Sequence, residues 1–466
     1  MKRPKHHRTF AILLGSLPAA APMTAALADN ECDDIMSDQG IVELVVGADI
    51  NDINTQYGTT TLASIEIDVA DPVDGVRLYL LQLPAYWDED DFEDWFDDDN
   101  DPRIVEADLN YQGETAEGGQ TESFYFYVPP TEYVAQYSWD LIGLETAHQS
   151  ATGNGVIVAL LDTGAEADHE ALVGHILLED GYNFVDGNTD TSDVGNREDE
   201  MVGHGTFMAG IVAMVAPDAG LLIVKVLDGN GQSDGQFRVA QGIYYAVQHG
   251  ADVINLSLAM SCDHEVLRAA LEYAEQSGVV VVAAAGNLDD SEVMFPADDS
   301  DTIGVASTDI NDFKAVFSNF GDDVSISAPG TDIVSSFPGH EYVQWQGTSM
   351  SVALVSGAAA LVKANNPSAS PEQIEQTLQD AAVNIDDING DYEELLGEGR
   401  LFIPDALIPG ENPADLNQDG SVNATDLLIL LSSWGSCGDC ANCPADLNDD
   451  CAVGAADLIV LLGNWG

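Results

Sequence analysis

The sequence predicts an α/β fold, a parallel sheet sandwiched by helices, with a small α+β unit ahead of it and a small all-α unit behind it. Three observations predict it. Between Tyr137 and Leu407, short wholly apolar runs alternate with amphipathic stretches, the pattern of strands buried on both faces and joined by helices. Residues 41–107 change type in the order β-α-β-β-α-β. In the tail, PADLNQDGSVNATDLLILLSSWG from Pro413 and PADLNDDCAVGAADLIVLLGNWG from Pro444 align residue for residue at a period of 31, each one loop and one apolar helix.

The chain opens with Lys2, Arg3, Lys5 and Arg8, an apolar stretch from Phe10 to Leu17, and small residues ending Ala26-Leu27-Ala28. Residues 1–28 therefore read as an export signal peptide. The whole chain has 81 Asp plus Glu against 13 Lys plus Arg, a formal net charge of -68, and loss of the signal's four bases leaves 9 minus 81, or -72. So negative a surface repels nucleic acid and anionic lipid, which argues against both as partners. Salt relieves its self-repulsion, which fits a saline exterior; plain solubility is the other reading. No later stretch reaches the ~20 apolar residues that a membrane span needs, so the expectation is a secreted, extracellular protein without a membrane span.

Residues 29–112 make the small α+β unit. Ile41–Val46, Thr61–Val69, Val76–Leu83 and Arg103–Ala107 are strand-like, and Asp49–Tyr57 and Glu89–Phe96 are helical. From Asp88 to Asp101, ten of fourteen residues are acidic; without fixed ligand spacing, they read as a solvated face. Residues 113–136, rich in Gly, Thr, Glu and Pro, read as an extended connector.

Residues 137–408 hold the parallel sheet. Val156–Leu161, Leu221–Val226, Val253–Leu258, Val279–Ala285 and Thr302–Ala306 are the buried strands, with helices around Gln236–His249, Glu265–Ser277, Ser349–Asn365 and Pro371–Ala382. The acid-rich stretch Asp186–Glu200 reads either as solvated or as holding an ion. Pro409, Gly410 and Pro413 mark a linker over 409–413, and 414–466 is the repeated tail.

Four segments of the sheet region bring chemistry together: VALLDTG at Val158–Gly164, GHGTFMAG at Gly203–Gly210, AAAGN at Ala283–Asn287 and GTSMSVALVSG at Gly347–Gly357. Cleaving a peptide bond needs a nucleophile, a base, a group to orient the base, and donors for the developing oxyanion. Asp162 ends a buried strand, so its carboxylate emerges at the carboxyl edge of the sheet and can orient His204. His204 stands at a helix start between Gly203 and Gly205 and can take the proton of Ser349. Ser349 opens its own helix, whose N-terminal N–H groups favour negative charge, and Asn287 ends a strand where its amide is a second donor.

With these residues in this order, Tyr137–Leu407 resembles the subtilisin-like serine endopeptidases. The resemblance implies Asp162, His204 and Ser349 as catalytic triad, Asn287 as oxyanion residue, and protein or peptide substrates. It also implies that Ser257, Leu258 and Ala259 form the strand that pairs with the substrate, and that Ala283–Gly286, including Ala285 and Gly286, wall the primary pocket. Two positions depart from the family: Ala353 stands where Pro is usual and Ala259 where Gly is usual, which bears on substrate preference. Residues 29–112 resemble the family's pro-segment, implying self-cleavage after Ala107, near Gly113–Pro130; a permanent N-terminal domain is the alternative. The rival function is a catalytically inactive binding or adhesion protein attached to an extracellular assembly.

In the first repeat Asp415, Asn417, Asp419, Ser421, Asn423 and Asp426 occupy positions 1, 3, 5, 7, 9 and 12 of a calcium loop, with Gly420 at position 6. The second offers Asp446, Asn448, Asp450 and Asp457, with Cys451 at position 6, and is expected to bind Ca2+ more weakly. Each loop leads to one helix, Leu427–Trp434 and Leu458–Trp465. The pair resembles a dockerin domain, implying structural calcium and a cohesin-like partner; an end cap with no partner is the alternative. Cys437, Cys440, Cys443 and Cys451 suggest either zinc or, in an exported chain, disulfides.

Overall fold

The computed structural model describes residues 35–66, 77–85, 87, 101–111, 113–116, 126–195, 201–233, 235–260, 265–408, 414, 416–417, 422–437, 443–448 and 451–463. The signal peptide, the acidic helix Glu89–Phe96 and the ligands Asp415, Asp419, Ser421 and Asp450 lie outside these residues.

The first described elements are β1 (Ile35–Leu44), α1 (Ile50–Tyr57), β2 (Thr60–Glu66), β3 (Arg77–Gln82) and β4 (Ile104–Tyr111). Asp49 starts α1 by accepting the Asn51 N–H at 2.9 Å, and Gly58 ends it in the left-handed region at φ 73°. The four strands pair antiparallel in the order β2-β3-β1-β4. Alternation then divides their side chains. Val42, Leu44, Tyr79 and Leu81 pack on Ile53 and Tyr57, while Ile41 and Leu78 enter a core shared with the main body.

The main body is a seven-stranded sheet in the order β15-β14-β13-β11-β7-β9-β8, parallel at every pairing. Its strands are β7 (Ile157–Asp162), β8 (Tyr182–Asn183), β9 (Gly220–Lys225), β11 (Val253–Leu256), β13 (Val280–Ala284), β14 (Ile303–Thr308) and β15 (Ile326–Pro329). Covering it are α2 (His204–Val215), α3 (Gln236–Gln248), α4 (Glu265–Gln276), α5 (Thr348–Asn365) and α6 (Pro371–Asp380). Val158 and Leu160 pack with Phe207 and Ile211 of α2 and Val352 and Val355 of α5. Ala159 and Leu161 face the other way, toward Val239 and Ile243 of α3 and Leu267 and Leu271 of α4. Burial on both faces is why these strands read as continuous apolar runs.

Two readings of the sequence are corrected. The run Val253–Leu258 is two strands: after β11 the chain turns at Ser257 and leaves the parallel sheet as β12 (Leu258–Ala259). The connector 113–136 contains β5 (Gly113–Thr115), β6 (Phe126–Tyr127) and a short helix at Pro130–Val134. Its strands find partners far away in sequence. β5 lies antiparallel between β12 and β10 (Gln232–Ser233), and β6 adds to the hairpin of β16 (Ile333–Phe337) and β17 (Glu341–Trp345).

Scarce cations are used inside. Lys225, Lys314 and Arg400 are 5%, 8% and 6% exposed. Lys225 Nζ donates to the Thr163 carbonyl, Lys314 Nζ to Asp289 Oδ1 at 2.6 Å, and Arg400 Nε to Asp312 Oδ1 at 2.8 Å.

In the tail, α7 (Ala424–Ser432) and α8 (Ala455–Gly463) each begin three residues before the apolar run that signals them. The cap sets the start of α7: Asn423 Oδ1 accepts the Thr425 N–H at 2.8 Å while Asp426 Oδ2 accepts the Asn423 N–H at 2.9 Å. The unit is not wholly helical, since β18 (Gly435–Ser436) pairs with β19 (Ala452–Val453). Cys437 and Cys443 form a disulfide and Cys451 is also disulfide-bonded, which removes the thiolates that zinc would need. Among the described residues, no helix is long and apolar enough to cross a membrane.

Candidate active site

Asp162 is the last residue of β7 and His204 the first of α2, and the packing of α2 on that strand brings them together. Both are buried. His204 Nδ1 lies 2.8 Å from Asp162 Oδ1 and 3.0 Å from Oδ2. A carboxylate only accepts, so the imidazole proton sits on Nδ1 and Nε2 is left as the basic nitrogen. Asp162 Oδ1 also accepts the Thr163 N–H at 2.7 Å, which fixes the carboxylate. Trp345, four residues before Ser349, meets the His204 ring edge-on at a centroid distance of 5.7 Å.

Ser349 is the second residue of α5, behind Gly347 at φ 154°. Its N–H therefore belongs to the set at a helix start that lacks intrahelical acceptors. The backbone carbonyl accepts from Ser257 Oγ at 3.2 Å, and Ser349 Oγ makes a long contact of 3.4 Å to the Ser257 carbonyl. Ser257 is held in turn by Asn255 Nδ2 at 2.9 Å. Thus Ser257, the residue between β11 and β12, also touches the candidate nucleophile.

Asn287 follows Gly286, just beyond β13. Its Oδ1 accepts the Thr348 N–H at 2.9 Å and the Thr348 hydroxyl at 3.0 Å, which determines which way the amide points. Nδ2 donates at 2.8 Å to the carbonyl oxygen of Ala116. Ala116 directly follows β5, whose Thr115 and Glu114 sit opposite Leu258 and Ala259 of β12. A segment of the protein itself thus lies as an added strand on the edge expected for substrate, its last carbonyl on the candidate oxyanion donor.

Ala116 is buried in the same apolar cluster as Ala259 and Ala284. Ala285 is buried behind this wall and donates its N–H to the Val305 carbonyl at 3.0 Å. At Gly286, φ is 109°, and a Cβ would lie 2.7 Å from Met294 Sδ, so that side chain already fills the space above the glycine. Sequence reasoning misses Met294 and the second flanking strand β10, which reach the site only through long-range packing, and Trp345, which is close to Ser349 in sequence but meets His204 only through the fold. For the acid-rich stretch Asp186–Glu200 it offers a solvated face or an ion site, and at Asp193 the first does not hold, since the residue is buried.

In the tail, the two position-12 residues Asp426 and Asp457 are buried. Asp426 accepts from Asn417 N at 3.1 Å and Asn423 N at 2.9 Å, and Asp457 from Leu447, Asn448 and Gly454 N at 2.8, 3.3 and 2.6 Å. Burial opposes ionisation of Asp426, but its N–H donors hold the carboxyl below the ordinary value. Asp446 Oδ2 accepts the Cys451 N–H at 2.8 Å, and Cys451 has φ 68°, the left-handed conformation that the missing glycine would have supplied.

Comparison with known proteins agrees with this geometry. Residues 153–423 match the sequence model of the subtilase family. Thermitase of Thermoactinomyces vulgaris is 41% identical over 256 residues, covering 52% of this chain and 88% of that protein. Subtilisin BL of Lederbergia lenta is 38% identical over 263 residues, 54% of this chain and 91% of that one. Among solved structures, fervidolysin from Fervidobacterium pennivorans, described as a keratinolytic enzyme related to subtilisin, has a TM-score of 0.64 at 24% identity, over 80% of this chain and 61% of its own. That last likeness is one of fold.

Proposed function

As a member of the subtilase family the chain is a serine-type endopeptidase, and on that premise we propose that it is a secreted precursor which cuts its own chain between Ala116 and Glu117. The observation that carries this is the 2.8 Å hydrogen bond from Asn287 Nδ2 to the Ala116 carbonyl, with β5 seated on β12 behind it. In this reading residues 29–112 are a pro-segment, and 137–408 are the catalytic domain.

Ser349 Oγ attacks the Ala116 carbonyl carbon as His204 Nε2 takes the hydroxyl proton. Asp162 holds the ring through Nδ1 and stabilises the imidazolium. The carbonyl oxygen gathers negative charge against Asn287 Nδ2 and the Ser349 N–H. His204 then gives its proton to the nitrogen of Glu117, that amine leaves, and Ala116 remains esterified to Ser349. Water, deprotonated by His204, releases the new carboxylate. Protein or peptide substrates follow the same course, paired to Ser257, Leu258 and Ala259.

N-terminal sequencing of the matured enzyme is expected to begin at Glu117; a start beyond Pro130 would take β5 out of the reaction. The site that holds Ala116, in one apolar cluster with Ala259 and Ala284 and with Met294 packed against it, is a narrow pocket that favours a small residue before the scissile bond. Peptides with Ala there are expected to exceed those with Phe in kcat/KM by about 10-fold or more, and parity would refute the narrowed pocket.

Structural calcium is common in this family. For the tail, the buried Asp426 and Asp457 and the left-handed Cys451 fit a pair of calcium loops, in which Asp415, Asn417, Asp419, Ser421, Asn423 and Asp426, and Asp446, Asn448, Asp450 and Asp457, would hold the ions. Calcium would supply charge neutralisation between the carboxylates of each loop. Chelation is then expected to melt 414–466 at a lower temperature than the catalytic body; a calorimetric profile indifferent to chelator would sink the assignment. The repeat exposes Leu428 and Leu431 on α7 and their counterparts Ile459 and Leu462 on α8, an apolar face in accord with a cohesin-like partner.

A further inference from the structure

Helix α2 begins at His204 with glycine at its cap, so it has no local side chain to satisfy its first N–H groups. The His204 N–H finds the Met201 carbonyl at 3.0 Å, and the N–H groups on either side are satisfied from far off. Asp193 Oδ1 accepts the Gly203 N–H at 3.0 Å, and Oδ2 accepts the Thr206 N–H at 3.0 Å and its hydroxyl at 2.8 Å. The Gly205 N–H donates at 2.9 Å to Thr163 Oγ1, whose own proton is directed at Asp193 Oδ1, 3.3 Å away. Thr206 Oγ1 accepts the Glu166 N–H at 3.1 Å.

One buried carboxylate therefore reaches the residues flanking His204 and, through Thr163, the residue after Asp162. We propose that Asp193 is a positioning residue for the reaction: it fixes the end of β7 against the first turn of α2, and so sets the Asp162–His204 hydrogen bond. The proposal rests on the catalytic roles given above. Burial pushes the Asp193 carboxyl up, and the Thr206 and Gly203 donors with nearby Lys225 oppose that. The groups around His204 are Asp162 and Thr163 at the end of β7, Lys225 at the end of β9, Asp193, and uncharged Trp345 of β17.

The test is Asp193→Asn in the full chain, with activity normalised to sites titrated by a serine-directed fluorophosphonate. Asparagine keeps the size but removes the charge and turns an acceptor into a donor. Expected is a fall in kcat of about 10- to 100-fold, with KM within about threefold because β12 and Asn287 are untouched. The acid limb of the kcat/KM profile is expected to move to lower pH. Lost negative charge and a looser Asp162 contact both disfavour the imidazolium, so His204 gives up its proton more readily.

A merely structural role would lower the titrated fraction while leaving kcat per site and the acid limb unchanged, and that result overturns the proposal. If Asp193→Asn does not fold, the decision passes to Thr163. Thr163→Ser keeps the hydroxyl and is expected to match wild type within about threefold, whereas Thr163→Val shows the kcat loss and the limb shift. Identical behaviour of those two variants also overturns it. A wild type that takes up no fluorophosphonate fails the catalytic assignment first, and this inference with it.

Discussion

Replacing Ser349 with alanine is expected to stop peptide hydrolysis and self-cleavage together while the chain stays folded. The hydroxyl is buried, and alanine keeps the backbone and the carbonyl contact to Ser257 Oγ while removing one oxygen, so the helix that carries it is left in place. Its chemistry has no substitute within the site. Removing the nucleophile costs subtilisin itself about a millionfold in kcat, and that relative sets the scale here. The measurement is chain mass over time for wild type and Ser349→Ala, each exported into saline buffer with calcium. Wild type is expected to shed the residues before Glu117, and the variant to keep them. A variant that matured at the wild-type rate would exclude Ser349 from the reaction and revive the binding-protein reading.

The second large effect is expected at Asn287. Loss of its donor should lower kcat by about 10²–10³-fold with little change in KM, a range again drawn from subtilisin. The side chain has two duties, however, because Oδ1 holds the Thr348 N–H and hydroxyl while Nδ2 holds the Ala116 carbonyl. Asn287→Ala removes both. Asn287→Asp keeps an acceptor for Thr348 but replaces the donor with a negative charge facing the carbonyl oxygen, so a loss at least as deep in the aspartate variant assigns the effect to the oxyanion. Near-normal kcat in Asn287→Asp, beside a crippled Asn287→Ala, would show instead that the residue acts by holding Thr348 in place.

Much of this site can be read from the sequence because its parts sit at the ends of locally encoded elements. Asp162 closes an apolar run, Asn287 follows another, and His204 and Ser349 each open a helix, so strand and helix periodicity alone put them at one edge of a sheet. Other features depend on partners that no local pattern specifies. Gly113–Thr115 has turn composition and becomes a strand only because Leu258–Ala259 and Gln232–Ser233 close on it from two sides. Asp193 lies among acids that invite a solvated reading, yet its carboxylate is drawn inside by the unsatisfied N–H groups of a helix capped by glycine. The four residues of β15 are too few to announce a strand.

The interior placement of Lys225 and Lys314 has a practical consequence for handling the protein. Beyond residue 28 the sequence contains one other lysine, Lys363, which is half-buried with Nζ donating to the Ala369 carbonyl at 3.0 Å. In the mature chain proposed above, which begins at Glu117, amine-reactive dyes, cross-linkers and activated resins will thus find the α-amino group before any side chain. Coupling should be close to one label per molecule and oriented by that terminus. A lysine-specific protease will likewise have almost nothing to cut.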